Sequence, residues 1–126
     1  MIRLLFLCCL AVVPLSAGAV RGHETPSIEL VMVEQAGCIW CARWNAEIGP
    51  IYPLSREGAQ APLRRIDLFA AELDQLDLAH RVHFTPTFIL IQANHEVARL
   101  EGYPGEDFFW GIVSKMLEDL AASEPG

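Results

Sequence analysis

The sequence predicts an α/β fold, a central mixed sheet flanked by helices, on two observations. Segments of strand and helix pattern alternate along the 126 residues, which points to a mostly parallel sheet covered on both faces. Near the C-terminal end, a short ANH stretch turns one apolar strand directly into a partner, so antiparallel strands are added to that sheet.

Each element has its own warrant. SIELVMVEQ runs apolar over Ile28, Leu30, Val31, Met32 and Val33, the pattern of a buried strand, and Gly37 ends it. From Cys38 the residues CARWNAEI suit a helix, which must stop or kink near Gly49 and Pro50 because proline removes a helix hydrogen bond. IYPLSREGAQAP, rich in Pro, Gly and Ser, is a connector with room for a short helical turn. LRRIDL, residues 63–68, is a second strand. In FAAELDQLDLAHRVHF the near-helical spacing of Leu73, Leu76, Leu78 and Ala79 predicts an amphipathic helix. TPTFILIQ and EVARLEG form the hairpin. EDFFWGIVSKMLEDLAAS then closes the chain with a helix that places Phe108, Phe109, Ile112, Met116, Leu117 and Leu120 on one side.

The first residues have a different character. Arg3 is followed by LLFLCCLAVVPLSAGA, an apolar run of signal-peptide length that ends in an A-x-A cleavage pattern at Ala17 and Ala19. Residues 1–19 are therefore expected to be a secretory signal peptide. The run is broken by Pro14 and falls short of the roughly 18 to 20 apolar residues that span a bilayer, so no stable membrane insertion is expected after cleavage. Residues 20–27 are a flexible leader, 28–121 a single domain, and 122–126 a tail.

Cleavage changes the chemistry that remains. It removes Cys8 and Cys9, leaving Cys38 and Cys41 as the mature cysteines in an oxidising, extracytoplasmic place. The formal charge of −7 becomes more negative without Arg3. Such a chain repels nucleic-acid phosphates and is not expected to bind them.

Three chemistries compete for AGCIWC, residues 36–41. Structural zinc needs four ligands in most cases; of the histidines (His23, His80, His83 and His95), His80 and His83 are three apart and would complete a site only if the fold brought them to Cys38 and Cys41, so no metal is expected. A structural staple closing so short a loop removes little unfolded-state entropy. A redox pair fits better, since Cys38 opens a helix whose positive end and free N–H groups favour thiolate. The Cys38 thiolate could attack a substrate disulfide, and Cys41, one turn deeper, could then release the reduced product.

GCIWC after an apolar strand, FTPTFIL later, and VARLEGY before the last helix together resemble the thioredoxin-fold superfamily over most of residues 28–120. The resemblance implies a thiol-disulfide oxidoreductase with no cofactor. It also implies a cis Pro86 beside the cysteine pair, and substrate contacts from Ile39, Trp40, Thr85 and Pro86, with the Thr85 backbone free to pair with an extended substrate strand. Two departures stand out: Ile39 and Trp40 replace the usual Gly-Pro, and Met32 stands where thioredoxins carry a buried Asp that takes a proton from the second cysteine. Glu34, on the same side of the strand as Met32, is the candidate for that proton transfer.

CIWC, RWNAEIGPIYP and EGAQAPLRRIDL resemble in particular the SoxS family, small periplasmic thioredoxin-like proteins of bacterial sulfur-oxidation (Sox) gene clusters. That resemblance implies a periplasmic reductant of the Sox sulfur-carrier protein, supplied with electrons by a membrane thiol carrier of the CcdA or DsbD kind. A strong oxidant needs a stabilised thiolate, and Ile39 and Trp40 bring no cation to Cys38. Arg43, Arg64 and Arg65 read as solvated charges. The rival readings are a reductant in cytochrome c maturation and a non-catalytic binding module.

Overall fold

The computed structural model describes residues 27–124; the expected signal peptide and nearly all of the expected leader lie outside the described residues. Four strands make one sheet: β1 (Ile28–Glu34), β2 (Leu63–Asp67), β3 (Thr87–Gln92) and β4 (His95–Glu101). Their spatial order is β2-β1-β3-β4. β1 pairs in parallel with β2, while β1–β3 and β3–β4 are antiparallel, so antiparallel pairing outnumbers parallel. The helices are α1 (Ile39–Glu47), α2 (Arg56–Gln60) and α3 (Glu106–Ser123). α3 runs past the boundary expected for the tail.

The central strand β1 is buried on both faces, and its alternation divides the interior into two clusters. Leu30 and Met32 meet Phe88 and Leu90 of β3, Trp44 and Ile48 at α1, Tyr52, and Phe109, Val113 and Leu117 of α3. Val31 and Val33 face the other way, with Ile66, Ile89 and Ile91, and are covered by Leu73, Leu76 and Val82. α1 and α3 border the first cluster through these contacts, and Ala61, directly after α2, joins it. The second is sealed by the segment after β2.

That segment differs from expectation. Where the spacing predicts an amphipathic helix over residues 69–84, the chain makes only a 3-10 turn at Leu73–Gln75. The spacing of Leu73 and Leu76 suits a 3-10 turn as well as an α-helix, and partners elsewhere in the sequence decide between them. Asn94 Nδ2 donates to Gln75 O at 3.0 Å, the Ala79 N–H donates to Glu96 Oε2 at 2.9 Å, and Arg99 Nη2 donates to His80 O at 2.8 Å. Asp77 and the hairpin exchange backbone bonds as well, with Asp77 N–H donating to Asn94 O in the turn and Glu96 N–H of β4 donating to Asp77 O, both at 3.0 Å. Groups that a helix would pair internally are thus satisfied by the hairpin.

The hairpin turns through Ala93 and Asn94, both at positive φ (48° and 70°), as a two-residue connection between right-twisted strands requires. On α3, Phe109, Val113, Met116, Leu117 and Leu120 are buried. Phe108, expected on the buried side, is exposed, because it lies about 100° around the helix from Phe109.

Candidate active site

β1 delivers the chain to a tight turn, closed by Cys38 N–H donating to Gln35 O at 3.3 Å, with Gly37 at φ 78°. That left-handed geometry suits glycine. Cys38 is the N-cap of α1, and its Sγ accepts the Cys41 N–H at 3.1 Å. No acidic residue occupies the first turn of α1, so no carboxylate offsets the positive end of the helix there.

Cys38 and Cys41 form a disulfide with their Cα atoms 5.2 Å apart. Cys38 is half-buried, whereas Cys41 is only 3% exposed and belongs to the cluster of Met32, Trp44 and Phe88. The pair is asymmetric in the sense exchange chemistry needs: one sulfur within reach of a partner, the other shielded. Between them Ile39 and Trp40 are 79% and 52% exposed.

Sheet register brings the proline loop to the same end. Val33 is opposite Thr87, so Gln35 and Thr85 both lie two residues beyond that pair. Gln35 Nε2 donates to Thr85 Oγ1 at 2.8 Å. The Thr85–Pro86 peptide is cis, and Pro86 is buried. Its carbonyl accepts the Gly102 N–H at 2.7 Å, and the Thr87 hydroxyl donates to Phe84 O at 2.7 Å.

Sequence reasoning missed two aromatic residues at this end. Phe84, 62% exposed, immediately precedes Thr85; Phe69, 81% exposed, follows β2, whose Asp67 is opposite Glu34. Position next to TPT could have flagged Phe84. Phe69 was absorbed into the helix pattern that the chain does not follow.

Glu34 and Met32 share one side of β1, as alternation requires. Both Glu34 oxygens accept from Arg65 Nη1 at 3.1 Å, and the same nitrogen lies 3.6 Å from Met32 Sδ. The Arg65 guanidinium sits 5.5 Å from the Trp44 ring centroid. Arg64 is tied to Glu29 at 2.8 Å and to Glu72.

Arg43, the single base of α1, donates from Nε to Glu47 Oε1 at 2.9 Å. The Tyr103 hydroxyl donates to Glu47 Oε2 at 2.6 Å. Hydrogen bonds from Arg43 and Tyr103 hold the Glu47 carboxyl below the usual carboxylate range. Burial, reinforced by the bond to Glu47, pushes the Tyr103 phenol up. Among the described residues, no group of three or more His, Cys, Asp and Glu side chains is placed to hold a metal ion.

No protein-family model and no curated protein sequence matches the chain. Solved structures do. The reduced form of the periplasmic thioredoxin SoxS from Paracoccus pantotrophus is 49% identical, with 72% of this chain and 96% of that one covered and a TM-score of 0.69. The germline-specific thioredoxin Deadhead from Drosophila melanogaster is 16% identical over 71% of this chain and 81% of its own, with a TM-score of 0.55. Fasciola hepatica thioredoxin is 18% identical over 73% and 83%, with a TM-score of 0.52. These last two likenesses concern the fold alone.

Proposed function

The chain belongs to the SoxS family within the thioredoxin superfamily and is a thiol-disulfide oxidoreductase, and we propose that it works in the periplasm as a reductant of partner-protein disulfides. The partner proposed is the sulfur-carrier protein of the Sox pathway. The 49% identity to a periplasmic SoxS carries this reading; the signal-like N-terminus accords with it.

The direction follows from local charge. Oxidising power in this chemistry comes from a stabilised reduced form. Neither Ile39 nor Trp40 carries charge, and Arg43 is already bound to Glu47, so α1 brings no free cation to favour the Cys38 thiolate.

In the reaction, the Cys38 thiolate attacks one sulfur of the partner disulfide. A Cys38–partner bond forms, and the other partner sulfur leaves as a thiolate that takes up a proton. Cys41 then loses its proton and attacks Cys38 Sγ. The Cys38–Cys41 disulfide closes and the second partner thiol departs, so the partner gains two electrons and two protons. Met32 offers no acceptor for the Cys41 proton, and this role is assigned to Glu34. Ile39, Trp40 and Thr85 form the substrate surface, with the buried Pro86 shaping the loop beneath it and the Thr85 backbone pairing to an extended partner segment. Two electrons from a membrane thiol carrier of the CcdA or DsbD type restore the dithiol.

Replacing Cys41 with Ser removes the release step. Expression of Cys41→Ser with its signal sequence should trap a periplasmic protein through Cys38, identified by mass spectrometry as the Sox sulfur carrier. Capture of a cytochrome c maturation protein instead would move the proposal to that pathway. No trapped partner would favour a binding module, and a reduction potential near the DsbA value of about −120 mV would overturn the reducing direction.

A further inference from the structure

Trp40 stands half-exposed in the rim, with a cation set against its ring. The Arg43 guanidinium lies 5.7 Å from the Trp40 ring centroid and 6.0 Å from that of Tyr103. The guanidinium is itself fixed by Glu47, whose two oxygens take one hydrogen bond each from Arg43 Nε and the Tyr103 hydroxyl. Tyr103 is buried, packs 6.2 Å from the Phe109 ring, and follows Gly102, whose N–H is bound to the Pro86 carbonyl. A chain of contacts therefore runs from the dipeptide between the cysteines to the proline loop across the site.

An ordinary i,i+4 ion pair on a helix would need none of these rings. A planar guanidinium can contact two aromatic faces while donating in its own plane, which an ammonium cannot reproduce. We propose that Arg43 is a positioning residue that holds the Trp40 indole as a fixed wall of the substrate surface, in register with the proline loop. The proposal rests on the reading of Trp40 as a substrate contact. A partner segment then meets one preformed shape and loses less conformational freedom on binding. A cation–π contact at an exposed site biases a ring by roughly two- to fivefold, and that sets the size of the effect.

The test is a double-mutant cycle on reduction of insulin disulfides, with dithiothreitol as the electron source. Arg43→Met should raise KM about two- to fivefold, with kcat within twofold and the reduction potential unchanged. Arg43→Lys keeps the charge and should recover little of the loss. In a Trp40→Ala background, Arg43→Met should add nothing, because its route is already gone. A KM unchanged by Arg43→Met, or the same increment in both backgrounds, would overturn the positioning role while leaving Trp40 as a contact. If Trp40→Ala itself leaves KM unchanged, the reading beneath the proposal fails and the proposal with it.

Discussion

Gln35 and Thr85, fifty positions apart, are joined by a side-chain hydrogen bond of 2.8 Å that ties the turn before Cys38 to the loop carrying Pro86. The bond makes the spacing between nucleophile and proline loop a property of two short polar side chains. Gln35→Ala should lower kcat/KM for insulin reduction about three- to tenfold, in keeping with one partly buried hydrogen bond. Thr85→Val should do the same, and the double variant should be no worse than either single one. Additive losses would show that the two residues act separately.

Phe69 and Phe84 expose large apolar area at the reactive end of the sheet, where a partner segment could cover it. Phe84→Ser and Phe69→Ser should raise KM severalfold and leave unfolding free energy within about 0.5 kcal/mol, because neither ring supports the core. Urea titration beside steady-state kinetics separates these effects. A loss of stability with unchanged KM would assign the rings to the fold.

Glu96 and Arg99 form a nearly buried ion pair, with side chains 7% and 8% exposed and a closest approach of 2.7 Å. Breaking it with Arg99→Met leaves a buried carboxylate without its cation and should cost about 3 kcal/mol. In a domain of this size the melting temperature should fall by roughly 15 °C. Glu96→Leu combined with Arg99→Met should recover part of that loss.

The pair also has a pH signature. Burial pushes the Glu96 carboxyl up, but the hydrogen bonds from Arg99 and the Ala79 N–H, with the charges of Arg99 and His80, outweigh it and leave it below the usual range. A depressed carboxylate stabilises the fold fully above its unfolded value and loses that contribution as pH falls through its folded one. Stability should therefore decline below about pH 4.5, and less steeply in Arg99→Met. Equilibrium unfolding from pH 7 to pH 3 measures both slopes.

Glu34→Gln tests the proton acceptor assigned to Cys41. Glutamine keeps a side-chain oxygen to accept from Arg65 but loses the base. Release of product from the mixed disulfide should slow by ~100-fold if the base is general, read by stopped-flow mixing of reduced protein with a labelled peptide disulfide. An unchanged release rate would remove Glu34 from the mechanism.

What the sequence made legible was local or short-period. Cys38 and Cys41 at a helix start, TPT before a buried strand, and the alternation in β1 and β3 each depend on neighbours a few residues apart. The segment over residues 69–84 was not legible, because Leu73 and Leu76 fit two helical periods equally and the deciding partners, Asn94, Glu96 and Arg99, come about twenty residues later. The Arg43 stack was hidden for a similar reason. Nothing near Arg43 in sequence announces that Tyr103 will stand against it.

The sulfur that caps α1 links the electrode scale to the melting curve. Folding and reduction close a thermodynamic cycle, so any difference in stability between the dithiol and disulfide forms equals the shift in potential that folding imposes on the couple. A thiolate at the Cys38 cap that gained strongly from the helix would make the reduced form melt higher and the protein an oxidant, at about 1.4 kcal/mol for each 30 mV. A reductant must show the opposite order or none, and two melting curves, one for each redox form, read that sign.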